Sequence, residues 1–160
     1  MAEHTIALRE IAEADLEAVF RQMSDPESVR MAAFTPDDPS DREAFEAHMR
    51  KVLGDPENLT RAVTRDGELV GTVASFVIAG ETEVTYWIDR TAWGQGIASK
   101  ALELLVGLQP ARPLYARAAS DNAASLRVLE KAGFIPIGTE VSYANARGAE
   151  IQETILCREG

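Results

Sequence analysis

The sequence predicts an α/β (α+β) fold: a central twisted sheet, mixed but mostly antiparallel, of about seven strands flanked by about four helices, in one domain over residues 1–160. Three observations predict it. Two tight-turn dipeptides, Asp66-Gly67 and Ala79-Gly80, join strand-like runs into a meander. Apolar residues at helical spacing bracket that meander on both sides. One β-α-β crossover follows a glycine loop, which sets a parallel pair into an otherwise antiparallel sheet.

Thr5 to Arg9 alternates, with Ile6 and Leu8 on one face, and reads as the first strand. Asp15 to Met23 places Leu16, Val19, Phe20 and Met23 at i, i+3, i+4 and i+7, a helix. Met31 to Ser40 contains Thr35-Pro-Asp-Asp-Pro-Ser40 and reads as loop. Ser40 is placed to cap the next helix, with Glu43 at the capping-box position. That helix sets Phe45, His48, Met49, Val52 and Leu53 on one face and stops at Gly54-Asp-Pro. Leu59 to Arg65, Glu68 to Ile78 and Glu81 to Asp89 are the strands of the meander. Ile97 to Leu108 is nearly all apolar, a helix buried on most sides. Pro110 and Pro113 end it, and Leu114 to Ala118 is a short strand. Asn122 to Ala132 is a helix with Leu126 and Leu129 on one side and Gly133 just past its end. Phe134 to Gly138 is strand-like, a loop surrounds Asn145 to Gly148, and Ile151 to Arg158 is the last strand.

Composition narrows the function classes. An apolar share of 46% suits a globular protein with a real core. The opening MAEHT lacks the basic start and apolar run of a signal peptide. No apolar stretch approaches the roughly 18 residues a membrane span needs. With one cysteine, Cys157, there is no internal disulfide, and His4 and His48 stand too far apart for a zinc cluster. The expected location is the cytoplasm, with no metal and no membrane partner. A net charge of −10 argues against a nucleic-acid partner and suits either a cationic one or plain solubility. Any polyanion must then be held by a local field of helix amides and nearby cations.

The stretch IDRTAWGQGIASKAL holds the most specific signal. Gly94 and Gly96 stand between a strand and a helix, where glycine-rich loops hold phosphate. The nucleotide-hydrolase loop fails, since Lys100 is preceded by Ser99 and followed by Ala101. The dinucleotide fingerprint is a near miss, Gly94-Gln-Gly96-Ile-Ala-Ser99, with Asp121 available as a ribose acid. That fold needs several β-α-β crossovers, and only one follows the loop.

TEVTYWIDRTAWGQGIASKALELL followed by SDNAASLRVLEKAGF resembles the GCN5-related N-acetyltransferase (GNAT) family, in the branch that includes the ribosomal-protein N-terminal acetyltransferases. Trp93-Gly94-Gln95-Gly96-Ile97-Ala98 is similar to the family's cofactor signature [QR]-x-x-G-x-[GA], except for tryptophan at the first position. The resemblance implies a GNAT-like fold and direct transfer of an acetyl group from acetyl-CoA (coenzyme A) to a primary amine. It implies that the strand before the loop splays from its neighbour so that Tyr86, Trp87 and Ile88 offer main-chain groups to the pantetheine arm. The diphosphate would lie on the main chain of Trp93 to Ser99. Arg127 and Lys131, with Lys100, are candidate cations for the ribose phosphate, although each alone also reads as solvated helix surface. Asn122 either bonds the pantetheine or caps its helix.

Attack of an amine on a thioester needs a neutral amine, donors for the oxyanion and a route for the thiolate to leave. The branch resemblance implies Glu83 as base, although the residue also reads as a surface strand glutamate. By alternation Glu83, Thr85 and Trp87 share a strand face, where a partly desolvated carboxylate would have a raised pKa. Leu129 stands where many family members carry a catalytic tyrosine, and the resemblance offers Ser125 as donor to the leaving sulfur. Tyr143 is a second donor candidate. The acceptor remains open between peptide N-termini and small-molecule amines, and the assembly between monomer and homodimer. Asp37, Asp38 and Asp41 would draw a cation, or simply form turns. An α-amino group, pKa ~7.8, is roughly a tenth neutral at pH 7, whereas a lysine-like amine needs far more help. A non-catalytic acyl-CoA-binding module of the same fold is the rival reading, supported by the absence of tyrosine at 129. Cys157 reads as a core residue and His48 as packing.

Overall fold

The computed structural model describes residues 4–160, so Met1 to Glu3 of the opening MAEHT lie outside the described residues. Seven strands form one sheet in the order β1-β2-β3-β4-β5-β7-β6. They are β1 (Ile6–Glu10), β2 (Leu59–Arg65), β3 (Glu68–Ile78), β4 (Glu81–Ile88), β5 (Leu114–Ala119), β6 (Ile135–Ala144) and β7 (Ala149–Arg158). Both meander turns form as expected. Asp66 and Gly67 take φ 53° and 85°, and Ala79 and Gly80 take 51° and 81°, the left-handed pairs that fit the twist of flanking strands. Within β3, Gly71 faces Ile88, and an added Cβ would lie 2.3 Å from the Trp87 carbonyl oxygen. Glycine is what lets β3 approach β4 that closely.

Among the described residues five α-helices flank the sheet: α1 (Leu16–Met23), α2 (Pro26–Ala32), α3 (Arg42–Gly54), α4 (Ile97–Leu108) and α5 (Ala123–Lys131). The helix beyond the expected four is α2. Asp25 accepts from the Ser28 N–H at 3.0 Å and Pro26 holds the first position, a start signal present in the sequence. The α3 cap is Asp41, which accepts from the Ala44 N–H at 3.1 Å, and not Ser40. Ser40 is instead held by Asp38. His48 is exposed, so it is not a packing residue either. The last hairpin is longer than expected because β6, bulged between Pro136 and Gly138, runs on to Ala144, and β7 starts at Ala149.

Helix α4 packs on β1, β3 and β4, and α5 on β5, covering one face of the sheet. That face buries Val63, Val73, Val84, Leu102, Leu105, Leu114, Phe134 and Leu156 in one core. Helices α1 and α2 cover the other face over β3, β4 and β5. Cys157 is buried, with its thiol pushed up by burial, as a core residue should be. The sheet contains one parallel pair, β4 with β5, which excludes the dinucleotide fold. No helix among the described residues is long and apolar enough to cross a membrane.

Candidate active site

The parallel pairing of β4 with β5 lasts for two register positions, Thr82 with Leu114 and Glu83 with Tyr115. Beyond them the strands part. Strand β3 continues to pair with β4 through Ile88, and β7 with β5 through Ala119, so only the facing edges open. The slit is bordered on β5 by Ala116, Ala118 and Ala119, which are too small to fill it. It widens into a cavity of about 760 Å³.

One end of the cavity is the glycine loop. Gly94 and Gly96 take φ 78° and 75°, and the loop delivers the chain into α4. Among the described residues no acceptor takes the N–H groups of Gly94 to Ser99. Six free donors at the positive end of a helix form a cradle for an anion. Trp93, Gly94, Gly96, Ile97, Ala98 and Ser99 all border the cavity. Gln95 does not, because its side chain turns away and accepts from Arg65. The Trp93 indole N–H donates to the Ile88 carbonyl at 2.9 Å, closing the loop onto the end of β4. Arg127 and Lys131 border the cavity from α5, whereas Lys100 points to Glu103 instead. The Asn122 side chain accepts from the Ser125 N–H at 3.2 Å and donates to the Met31 carbonyl at 3.3 Å, so it caps α5 and ties it to α2. Trp87, whose indole N–H donates to the Gln22 carbonyl at 2.9 Å, and Ile88 both border the slit.

Within the slit Ser125 meets a partner on β4 that no local sequence pattern marks. The Tyr86 hydroxyl lies 2.8 Å from Ser125 Oγ. Burial pushes the Tyr86 phenol up, with the Ser125 hydrogen bond pulling the other way. Leu129 is buried one turn further along α5. Tyr143 is exposed on β6 and does not reach the cavity.

At the far end Glu83 is not a bare carboxylate beside Trp87. Arg117 Nε donates to it at 2.8 Å, and Arg117 Nη1 donates to Glu140 at 2.9 Å and to Glu153 at 3.3 Å. Hydrogen bonds to Glu140 first, then to Glu83 and Glu153, hold the guanidinium above its ordinary range. Glu153, with a side chain only 12% exposed, is pushed up by burial against the pull of Arg117. Neither Arg117 nor Glu153 carries a local sequence signal; strand alternation on β5 and β7 is the one clue, and it needs the strand order. Met31, Ala32, Phe34 and Phe76 form an apolar wall beside these carboxylates. Phe34 follows a tight turn at Ala33, φ 67°, in which the Phe34 N–H bonds the Ala32 carbonyl at 2.7 Å. Asp38 and Asp41 are occupied as turn and cap, and neither borders the cavity.

A family model described as an acetyltransferase (GNAT) domain matches residues 5–135. Among solved structures, RimL, a ribosomal L7/L12 alpha-N-protein acetyltransferase in complex with coenzyme A, is 20% identical, with 97% of this chain and 94% of that one covered at a TM-score of 0.82. The microcin C7 self-immunity acetyltransferase MccE, in complex with acetyl-CoA and AMP, is 15% identical over 97% and 92% of the two chains, also at 0.82. RimJ from Mycobacterium smegmatis, in complex with CoA-disulfide, is 23% identical over 97% and 82%, at 0.80. At such identities the likeness is one of fold. Among curated proteins no sequence matches.

Proposed function

The chain belongs to the acetyltransferase (GNAT) family, and from that premise we propose how its own residues move an acetyl group from acetyl-CoA to a primary amine. The slit between β4 and β5 is the observation that carries the proposal. A strand edge left open over Val84 to Ile88 has main-chain groups to satisfy, and an extended amide-bearing arm satisfies them. The six free N–H groups of Gly94 to Ser99 fit a diphosphate at one end of the same cavity, with Arg127 and Lys131 placed for a further phosphate. When bound, acetyl-CoA supplies an activated acyl group at the end of that arm.

The protein's residues divide the remaining tasks. The slit and the cover of α1 and α2 hold the reacting groups away from bulk water. A main-chain N–H of β4 polarises the acyl carbonyl. Glu83 and Glu153 draw the amine as a cation and take its proton, directly or through water. Three carboxylates around one guanidinium leave this end of the cavity negative, which suits a cationic acceptor. Ser125 holds the sulfur as it leaves. The apolar wall of Met31, Phe34 and Phe76 suits an acceptor with carbon beside its amine, as a peptide N-terminus or a small-molecule amine has.

Acetyl-CoA offered with peptides, polyamines and aminoglycosides in parallel should release free thiol with at least one class. Tight binding of coenzyme A with no release above hydrolysis, across the whole panel, favours the acyl-CoA-binding module instead.

A further inference from the structure

A phenol reaches the leaving-group side of the slit from a strand, not from the helix. Many family members carry the tyrosine at the position of Leu129, on α5. Here that position holds a buried apolar side chain one turn from Ser125. Tyr86 comes instead from β4, across the slit, and its hydroxyl sits 2.8 Å from Ser125 Oγ. Both residues border the cavity. Among the described residues each hydroxyl has the other as its one hydrogen-bond partner. We propose that Tyr86 is a positioning residue for Ser125, donating its phenolic proton to Ser125 Oγ so that the serine O–H is left free to point at the sulfur.

The direction of the bond follows from acidity. A phenol is a far stronger acid than an alkyl alcohol, so the phenol donates and the serine oxygen accepts. Burial keeps Tyr86 protonated and able to donate. Two hydroxyls that share one bond leave one proton unused, and in this direction it is the serine's. Accepting the Tyr86 bond also makes the serine proton a better donor, because chained hydrogen bonds polarise one another. In the transfer, the amine nitrogen bonds to the acyl carbon and the carbon–sulfur pair passes to sulfur. The amine loses one proton to a carboxylate or water, and the sulfur finally gains one from water. A thiol pKa near 8.5 makes sulfur a better resting place for charge than a serine alkoxide. Ser125 therefore steadies the developing charge by a hydrogen bond and gives up no proton. The role requires the acyl-transfer reading above, whereas the Tyr86–Ser125 contact does not.

The test uses Tyr86→Phe, Ser125→Ala and the double variant in the full chain. Tyrosinate absorbance is first titrated in the free protein. The component that Y86F removes should move to higher pH in S125A, because the serine bond steadies the phenolate. An unmoved component overturns the contact. Turnover is then read with acetyl-CoA and whichever amine releases thiol. Y86F should lower kcat by about two- to tenfold, the scale of one neutral hydrogen bond, with KM for acetyl-CoA nearly unchanged. S125A should cost more, and the double variant should be no slower than S125A. A Y86F enzyme as fast as the parent, or effects that multiply in the double variant, overturns the positioning role. A parent that releases no thiol from any amine overturns the acyl-transfer reading itself, which is a different result.

Discussion

Replacing Gly96 with aspartate tests the anion cradle at its centre. Gly96 takes φ 75° at the start of α4, and an added Cβ would meet nothing within 4 Å. The side chain fits, so the structural cost is the left-handed backbone, roughly 1–2 kcal/mol for a residue with a Cβ and less for aspartate. A carboxylate at a helix N-terminus gains about 0.3–1 kcal/mol from the dipole. These nearly cancel, and the free G96D protein should melt within a few degrees of the parent. Binding changes far more. One unit charge facing a phosphate charge at roughly 5 Å, with an effective dielectric of about 20, is repelled by about 3 kcal/mol. Solvent around this exposed loop weakens each such term, while a second phosphate charge adds another. The expected loss of coenzyme A affinity is therefore about 100-fold, at about 1.4 kcal/mol per decade. Gly96→Ala carries the backbone strain without the charge and should lose much less. Calorimetric titration with coenzyme A gives both constants. Melting curves give a second reading: ligand at about 1,000 times the parent Kd adds about 4 kcal/mol to the parent and about 1.4 kcal/mol to G96D. A folded G96D that binds coenzyme A as tightly as the parent refutes the cradle.

Arg117→Gln leaves Glu83, Glu140 and Glu153 facing one another. With the Arg117 side chain 39% exposed, solvent screening limits the expected loss to about 1–2 kcal/mol at pH 7. Urea unfolding should show that loss shrinking in acid, as the carboxylates take up protons; a loss that grows in acid refutes the cluster. For Glu153, burial raises the folded value, so the folded state holds a proton there that the unfolded chain has released. Stability therefore falls as pH rises from the ordinary glutamate value to the folded one. Glu153→Gln should gain stability relative to the parent across that window, and a pH-independent difference counts against it. Gly71→Ala drives a Cβ to within 2.3 Å of the Trp87 carbonyl and should cost about 1–3 kcal/mol by overpacking. Because the clash moves β4, it should also weaken coenzyme A binding; full affinity in a destabilised G71A would separate β4 from the site. Phe134→Ala empties a fully buried ring site and should cost about 3–5 kcal/mol, read as a lower melting temperature.

The parts of the fold that the sequence declares are those governed by local chemistry. Asp66-Gly67 and Ala79-Gly80 need left-handed backbone, and both meander hairpins follow from them. Ile97 to Leu108 is delimited by Gly96 and Pro110 and forms over that range. Asn122 and Gly133 bracket α5 in the same way. What stays hidden is whatever depends on strand order. Arg117, Glu140 and Glu153 lie far apart in the chain and meet because β5, β7 and β6 are neighbours. Tyr86 on β4 and Ser125 on α5 meet beside a gap between strands that should by default be paired, and no residue pattern marks a missing ladder. Helix α2 is a different kind of miss: Asp25-Pro26 is a local start signal, but seven residues are too few for a helical period to show. Asp41 outcompetes Ser40 for the cap because Asp38 already holds the Ser40 hydroxyl, a contact between loop residues that no capping rule anticipates.

Alternation along β4 lets one short strand carry both halves of the proposed reaction. Successive side chains point to opposite faces of a sheet. Glu83 and Trp87 therefore lie on the face covered by α1 and α2, with Arg117 and Glu153. Val84, Tyr86 and Ile88 lie on the face of α4 and α5, with Ser125. On the roles proposed above, proton removal from the amine and support for the departing sulfur are separated by the thickness of the sheet. The slit, where the β4–β5 ladder is missing, is the passage that connects them. An acyl group held in that gap would meet the amine from one face and lose its sulfur toward the other, and the two charged ends of the proposed reaction would not compete for the same groups. The arrangement depends on register. A slip of one residue between β3 and β4 would exchange Glu83 with Val84 and Tyr86 with Trp87, burying a carboxylate in the core and emptying both sites at once. The close packing of Gly71 against Trp87 and Ile88, together with the left-handed turn at Ala79-Gly80, fixes that register. The residues that hold the chemistry in place are in this sense the glycines of the meander as much as the polar groups of the cavity.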